Sequence, residues 1–279
     1  MNPVRCPYDR ILFQNDSLMI GEFICLNDDP RFADTGPIEN HILVIPFRPV
    51  RILFSHARSI IADSTRVLLY NRSSCYRRET LNQLGDHSLW VAFNDEILEA
   101  ACGNGSRRPF GKQVESLPSS LYLEARKLYL RLTSGYADPL EVEEAAVEML
   151  ARIVQAPAQR SQRSTPRQKQ VVEAADAHLA RNYDKNVHLD DVAKAAACSP
   201  FHLSRVFRRQ RGVGVHQHLV QLRLRDAVDR LLDNQDSLTE IAMNLGFSSP
   251  SHFSKCFRDN FGVSPYRFRQ NENTVRAIF

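Results

Sequence analysis

The chain has 279 residues, 43% of them hydrophobic and 24% charged, with a formal net charge of +4. That is enough chain for two domains, each with a core, and the composition excludes a disordered or low-complexity polypeptide. No apolar run approaches the roughly 18–20 residues of a membrane span, and the six cysteines (6, 25, 75, 102, 198, 256) include no C-x-x-C pair, against a zinc site or disulfide framework.

The opening Met1-Asn2-Pro3-Val4-Arg5-Cys6-Pro7 lacks the apolar core of a signal peptide, so a cytoplasmic protein is expected. From residue 8 to about 93 the chain reads as strands. Arg10–Gln14, Ser17–Leu26, His41–Phe47, Val50–Phe54, Arg66–Tyr70 and Ser88–Phe93 are short β-branched or aromatic runs. Asn15-Asp16, Asn27-Asp28-Asp29-Pro30, Gly36-Pro37, Pro46, Pro49 and Gly85-Asp86 punctuate them. Many short strands in so few residues suggest a small barrel or jelly roll whose interior has room for a small molecule.

This region offers little chemistry. His41, His56 and His87 lack the spacing of a metal site. There is no G-x-S-x-G, Gly-rich phosphate loop or H-E-x-x-H. Asp86-His87-Ser88 reads as a hairpin edge rather than a triad, and Trp90 as a core residue. Cys25 and Cys75 are either redox sensors or, more simply, structural thiols. Arg72 and Arg77-Arg78, near Tyr70 and Tyr76, are an anion site or a solvated strand end. No catalytic residue, cofactor or metal ligand is expected.

Asn94 to Cys102 reads as a short helix. Two longer helices come next, Ser119/Ser120 to Thr133 and Pro139 to Val154. Leu121, Leu128 and Leu132 stripe the first, and Val142, Ala145, Ala146, Met149, Leu150 and Ile153 line the second. The short link between them makes an antiparallel pair, either packed on the strands or used to pair with a second copy. Gln155 to Gln168 is poor in apolar residues and reads as a linker. From Gln170 a helix with Val171, Val172, Ala175 and Leu179 leads to Asn182, as a support for the residues from 189 onward.

Leu189 to Arg269 contains one pattern written twice. Leu189, Val192, Ala193, Ser199-Pro200, Leu203-Ser204-Arg205, Phe207-Arg208 and Gly212-Val213 recur as Leu238, Ile241, Ala242, Ser249-Pro250, Phe253-Ser254-Lys255, Phe257-Arg258 and Gly262-Val263. The offset is 49 residues up to the alanines and 50 from the Ser-Pro pair onward, so one residue is inserted in the second turn. Each copy has the parts of a helix-turn-helix. Ser237 with Glu240 is a capping box, Gly246 supplies a left-handed turn, and Ser249-Pro250 restarts the chain as N-cap and first helical residue. Helical spacing turns Phe253, Cys256, Phe257 and Phe261 inward, leaving Ser251, Ser254, Lys255 and Arg258 outside. In the first copy Leu203, Val206 and Phe207 turn inward, and Phe201, Ser204, Arg205, Arg208 and Arg209 outward. Either copy alone is equally an amphipathic pair with solubilising charges. The recurrence of cap, turn and basic face favours two heads that read a major groove.

Charge agrees. Residues 166–279 hold 17 Lys/Arg against 12 Asp/Glu, and residues 1–165 hold 19 against 20. Between the motifs, Val215 to Asp233 has no Gly or Pro and carries an apolar face. Its nineteen residues make a helix of roughly 28 Å, close to the roughly 34 Å between successive major-groove faces.

These residues resemble the DNA-binding domain of AraC/XylS-type transcription regulators. The matching elements are Leu203-Ser204-Arg205, Phe207-Arg208, Gly212, Arg223-Leu224, Ala227, Leu231-Leu232, Ile241-Ala242, Gly246-Phe247, His252-Phe253-Ser254, Phe257-Arg258, Gly262, Ser264-Pro265 and Phe268-Arg269. The resemblance covers about 100 residues and makes Phe201, Ser204 and Arg205, and then Ser251, His252 and Lys255, groove-facing. Arg208, Arg209, Arg223 and Arg258 are candidates for phosphate. There are two departures: Ala197 stands where the first turn often has Gly, which would strain an Ala at positive φ, and His188 replaces the usual Ser/Thr cap.

The resemblance implies an α+β two-domain chain: a cupin-like β-barrel with a helical pair over 1–155, a linker over 156–168, and two helix-turn-helix motifs joined by a helix over 169–279. It implies a sequence-specific transcription regulator, an activator rather than a repressor, without enzymatic activity. The expected partners are double-stranded DNA, RNA polymerase, a second copy through residues 120–154, and a small-molecule effector, with no membrane. The alternative reading is a DNA-targeted cupin enzyme or a methyl-acceptor repair protein.

Overall fold

The computed structural model describes residues 9–26, 29, 32, 34–54, 58–81, 85–103, 107–135, 137–156, 164–233 and 236–270. The chain divides into two units, Met1–Pro157 and Ala158–Phe279. Half of the expected linker, 157–163, lies outside the described residues, as do Cys6, Asn27, Asp28, Pro30 and His56.

Among the described residues the first unit has ten strands: β1 (Asp9–Gln14), β2 (Leu18–Cys25), β3 (Asp34–Thr35), β4 (Ile42–Pro46), β5 (Val50–Phe54), β6 (Arg58–Ala62), β7 (Arg66–Tyr70), β8 (Tyr76–Thr80), β9 (Asp86–Phe93) and β10 (Val114–Ser116). They divide between a six-stranded sheet, β1-β2-β9-β4-β7-β10, and a four-stranded sheet, β3-β8-β5-β6. All described pairings are antiparallel. The strands expected of a barrel are therefore divided between two sheets and do not close into one barrel.

Side-chain alternation sorts the faces. Cys25, Val44, Leu68 and Tyr70 of the larger sheet share a core with Val50, Ile52, Phe54, Ile60 and Ala62 of the smaller. Trp90 packs at its margin and donates from Nε1 to Asp9 Oδ1 at 2.6 Å. A Cβ at Gly21 would lie 2.2 Å from Trp90 Cζ2, so only glycine lets the indole cross β2 there.

Two local expectations change. Asp86-His87-Ser88 is no hairpin edge, because β9 runs between β2 and β4. Its alternation sends Asp86 into the inter-sheet space and His87 to the opposite face, so the three side chains cannot converge. Nor is Arg78 on a solvated strand end. It is buried and donates from Nη1 to Asp86 Oδ2 at 3.1 Å and from Nε to the Phe32 carbonyl at 2.9 Å. The ring of Phe23 lies 4.2 Å beneath its guanidinium. A buried carboxylate held this way joins the two sheets.

The outer face of the larger sheet carries a second polar group. Glu22 on β2 accepts from Arg10, from His87 Nε2 at 3.0 Å and from the Tyr129 hydroxyl. Burial, followed by the Arg126 charge, pushes the His87 pKa down to about 4, so neutral His87 donates to the carboxylate. Tyr129 belongs to α2 (Ser119–Ser134), which runs against α3 (Pro139–Val154) after a short α1 (Asp95–Cys102). Asp138 caps α3 by accepting from Leu140 N at 2.9 Å, with Pro139 in the first turn. Arg131–Glu141 at 3.0 Å and Arg152–Glu124 at 2.7 Å tie the two ends, as an antiparallel pair requires. Val142, Ala146, Met149, Leu150 and Ile153 are buried, and Leu140 and Val147 are left on the outer face.

The second unit is helical: α4 (Pro166–Asn182), α5 (Leu189–Ala195), α6 (Pro200–Arg211), α7 (Val215–Asp233), α8 (Leu238–Asn244), α9 (Pro250–Phe261), then a turn of helix over 265–270. The support expected from Gln170 is α4, begun four residues earlier by a Thr165/Gln168 capping box. Its Val171, Val172, Ala175 and Leu179 form one core with Val192, Ala193, Leu203, Val206, Phe207, Leu219 and Leu222. Among the described residues, no three His, Cys, Asp or Glu side chains are grouped to hold a metal ion. Nor is any helix long and apolar enough to cross a membrane.

Candidate nucleic-acid interface

The second motif folds as its capping signals dictate. Ser237 Oγ accepts from Glu240 N at 3.2 Å, and Glu240 accepts from Ser237 N at 2.8 Å. After α8 the chain turns through Gly246 at φ 70°, and Phe247 N returns to the Ala242 carbonyl at 3.0 Å. Ser249 then caps α9, accepting from His252 N at 3.1 Å. The inserted residue is Ser248. It comes after the hydrogen-bonded turn and is absorbed by Ser249 at an extended φ of −166°, where Ser199 has −75°. Phe253 and Phe257 are fully buried, and Phe247, Phe261 and Phe268 pack around them with ring centroids 4.7–5.8 Å apart. That fixes which side of α9 faces out. Ser251, Lys255 and Arg258 are exposed, and Ser254 is half-buried. His252 is also half-buried, with Nδ1 3.0 Å from Ser248 Oγ and its ring edge-on to Phe247.

The first motif has the same backbone. Ala197 takes the turn position at φ 48°, and Cys198 N returns to the Ala193 carbonyl at 3.1 Å. The sequence already placed Ala197 where a glycine would be easier, and the positive φ is what the structure has there. Ser199 caps α6 through His202 N at 3.2 Å. With Leu203, Val206 and Phe207 buried, Phe201, Ser204, Arg205, Arg208 and Arg209 are all exposed, Phe201 at 79%. Phe201, Ser204, Arg205 and Arg208 come together along a groove of about 570 Å³ between α5, α6 and the start of α7. Leu189 and His216 also line it, and the sequence reading did not single out His216. Its position one residue into the connecting helix is the signal that could have found it.

Among the described residues, no carboxylate pairs with Arg205, Arg208, Arg209, Lys255 or Arg258. An unneutralised guanidinium on a helix face suits a phosphate or a guanine edge.

Arg223 is a correction. It was expected among the phosphate candidates, but it is 7% exposed and turns inward. It donates to three backbone carbonyls, those of Tyr183 at 2.7 Å, Gly246 at 2.7 Å and Lys185 at 2.8 Å. A guanidinium buried against three carbonyls in this way is not presented to a phosphate. The helix that carries it runs unbroken over 19 residues, Val215–Asp233, as its lack of Gly and Pro required.

Two capped helix-turn-helix units in one unit, each with a cationic helix facing out, agree with what the chain is similar to. A family model described as a helix-turn-helix domain matches residues 192–271. Regulatory protein PocR of Salmonella typhimurium is 35% identical over 108 residues, which are 38% of this chain and 34% of PocR. The probable transcription factor PqrA of Proteus vulgaris is 30% identical over 96 residues, 34% of this chain and 77% of PqrA. The chain belongs to the AraC/XylS-type transcription regulator family. AdaA of Bacillus subtilis, named a bifunctional transcriptional activator/DNA repair enzyme, is 26% identical over 93 residues, 33% of this chain and 44% of AdaA. The chain spans about a third of the length of the first curated relatives it matches. The AraC-type match runs from α5 to the end of the described residues, so it takes in both motifs and the helix between them.

Proposed function

We propose that this chain is a sequence-specific transcription regulator, an activator rather than a repressor, whose α6 and α9 enter adjacent major grooves of one duplex. The observation that carries the reading is the repeated cationic recognition face, presented by two motifs joined by one unbroken 19-residue helix. Phe201, Ser204 and Arg205 on α6, and Ser251, His252 and Lys255 on α9, face base edges. Arg208, Arg209 and Arg258 hold phosphates. Phe201 offers apolar contact only, which suits a thymine methyl.

The first unit biases this binding through a small-molecule effector or through pairing with a second copy. Support for pairing comes from the helical pair of residues 120–154, whose outer face leaves Leu140 71% and Val147 38% exposed. RNA polymerase is the further partner an activator requires.

Selection from a random duplex library by the full chain, followed by anisotropy titration, tests the reading. The expected result is enrichment of duplexes with two half-sites about one helical turn apart, with log K falling linearly in log salt. Equal affinity for enriched and random duplexes would remove sequence-specific regulation. The similarity to AdaA keeps a methyl-acceptor reading in view. Such a reaction needs an activated thiolate, whereas burial pushes the thiols of Cys102 and Cys256 up, assisted by the carboxylates of Glu99 and Asp259 respectively. A fast-titrating thiol in the purified chain would favour that alternative.

A further inference from the structure

We propose that Arg223 is the positioning residue that sets the separation of the two recognition helices, by tying the foot of the first motif and the turn of the second to α7 through one buried guanidinium. The inference rests on the DNA-reading function above.

Each of the three guanidinium nitrogens is used, and each on a different backbone carbonyl. Nε donates to Tyr183, the C-cap of α4, and Nη2 to Lys185, three residues before the start of the first motif at His188. Nη1 donates to Gly246, the left-handed residue between α8 and α9. One rigid plane therefore fixes the position of the second motif's turn relative to the support of the first. The ring of Phe247 lies 5.8 Å from the guanidinium carbon on the side of the second motif. Gly246 is part of the device. A Cβ there would meet Arg223 Nη2 at 2.7 Å, so the missing side chain is the space the guanidinium fills.

The first motif has a looser version of this bond. The Ala197 carbonyl accepts from Nη2 of Arg167 at 3.0 Å, but that contact is exposed and reaches only within the first motif and its own support. The tie that crosses between motifs is the buried one. Lysine cannot replace it, because a single ammonium lacks the planar fork that addresses three carbonyls in three directions. Without the tie, α7 still joins the motifs, but the second swings about the end of that helix.

The consequence is a rule about DNA spacing. One inserted base pair moves a half-site by about 3.4 Å and turns it by about 35°, which a rigid pair of heads cannot follow. The test uses the full chain and duplexes enriched by the wild type from a random library, with one base pair inserted between the half-sites. The wild type is expected to lose about tenfold or more in affinity on the insertion, and Arg223→Lys about threefold or less. Gly246→Ala, which displaces the guanidinium, should relax spacing in the same way and decides the matter if Arg223→Lys does not fold by circular dichroism. A wild-type spacing penalty in the folded variant, or an equal loss on every duplex including single half-sites, overturns the proposal. If the wild type enriches no duplex, the DNA reading itself fails and hydrogen exchange decides the tie. Faster exchange confined to α8 and α9 in Arg223→Lys supports it, and an unchanged pattern overturns it.

Discussion

The two helix-turn-helix motifs share a backbone and differ in what holds it. Around Phe257 the second motif packs Phe261 and Phe268, with centroids 4.7 and 5.8 Å away. Fifty residues earlier the equivalent positions are Arg211 and His218, around Phe207. His218 keeps the ring contact, edge-on to Phe207 at 5.5 Å, but Arg211 turns back to the buried carboxylate of Asp176 on α4. One copy is closed by an aromatic cluster and the other by an ion pair. The same turn can thus rest on dispersion or on charge. Dispersion tolerates small displacements, whereas a buried ion pair fails sharply when one partner is removed.

That contrast sets the largest expected effect. Arg211→Ala removes the guanidinium from the Asp176 carboxylate, which is 2% exposed and keeps His218 Nε2 at 3.8 Å, and should cost about 3–4 kcal/mol in urea unfolding. Phe261→Ala, at a half-buried position, should cost about 1–2 kcal/mol. Replacing both Asp176 and Arg211 by leucine should recover most of the loss. If Arg211→Ala and Phe261→Ala cost the same, the distinction between the two closures disappears. Next in size is Gly246→Ala. It combines a left-handed alanine, about 1–2 kcal/mol, with displacement of a charged hydrogen-bond donor, about 1.5–3 kcal/mol. A midpoint shift worth roughly 3 kcal/mol is expected, and Arg223→Met should remove most of its excess over the left-handed term.

Much of this was legible in the sequence because it is local. Caps, the Gly246 turn, the inward phenylalanines and the uninterrupted connecting helix each declare themselves within a few residues. The long-range choices do not. β8 reads Tyr76-Arg77-Arg78-Glu79-Thr80, which lacks a strand's apolar alternation, because its inward Arg78 is neutralised by Asp86 from another strand. β3, β6 and β10 were missed as well; two or three residues, as in β3 and β10, are too few to carry a period. Arg223 looked like a phosphate ligand because nothing nearby in sequence reveals three carbonyls waiting for it. Likewise, the one-residue insertion could be counted but not placed at Ser248 without the backbone.

On DNA the two motifs should differ in kind more than in size. Arg205→Ala or Lys255→Ala should each cost about 1–3 kcal/mol on an enriched duplex if they read bases. Phe201→Ala should weaken only duplexes with a thymine at its position, and deoxyuridine there should reproduce the loss. An equal loss on random duplexes would reassign Arg205 or Lys255 to the backbone.

The smallest effect is at the first turn and has the opposite sign. Ala197 holds φ 48° where its counterpart Gly246 holds 70°. Both make the same return bonds, the Ala197 amide to Lys194 at 3.0 Å and the Gly246 amide to Met243 at 3.1 Å. The alanine therefore carries strain that the glycine does not, about 1 kcal/mol, offset in part by the greater freedom glycine gives the unfolded chain. Ala197→Gly should thus stabilise the chain by a few tenths of a kcal/mol up to about 1 kcal/mol. Calorimetry against the wild type resolves the sign. A lower melting temperature would mean that the Ala197 methyl makes a contact worth more than the strain it causes.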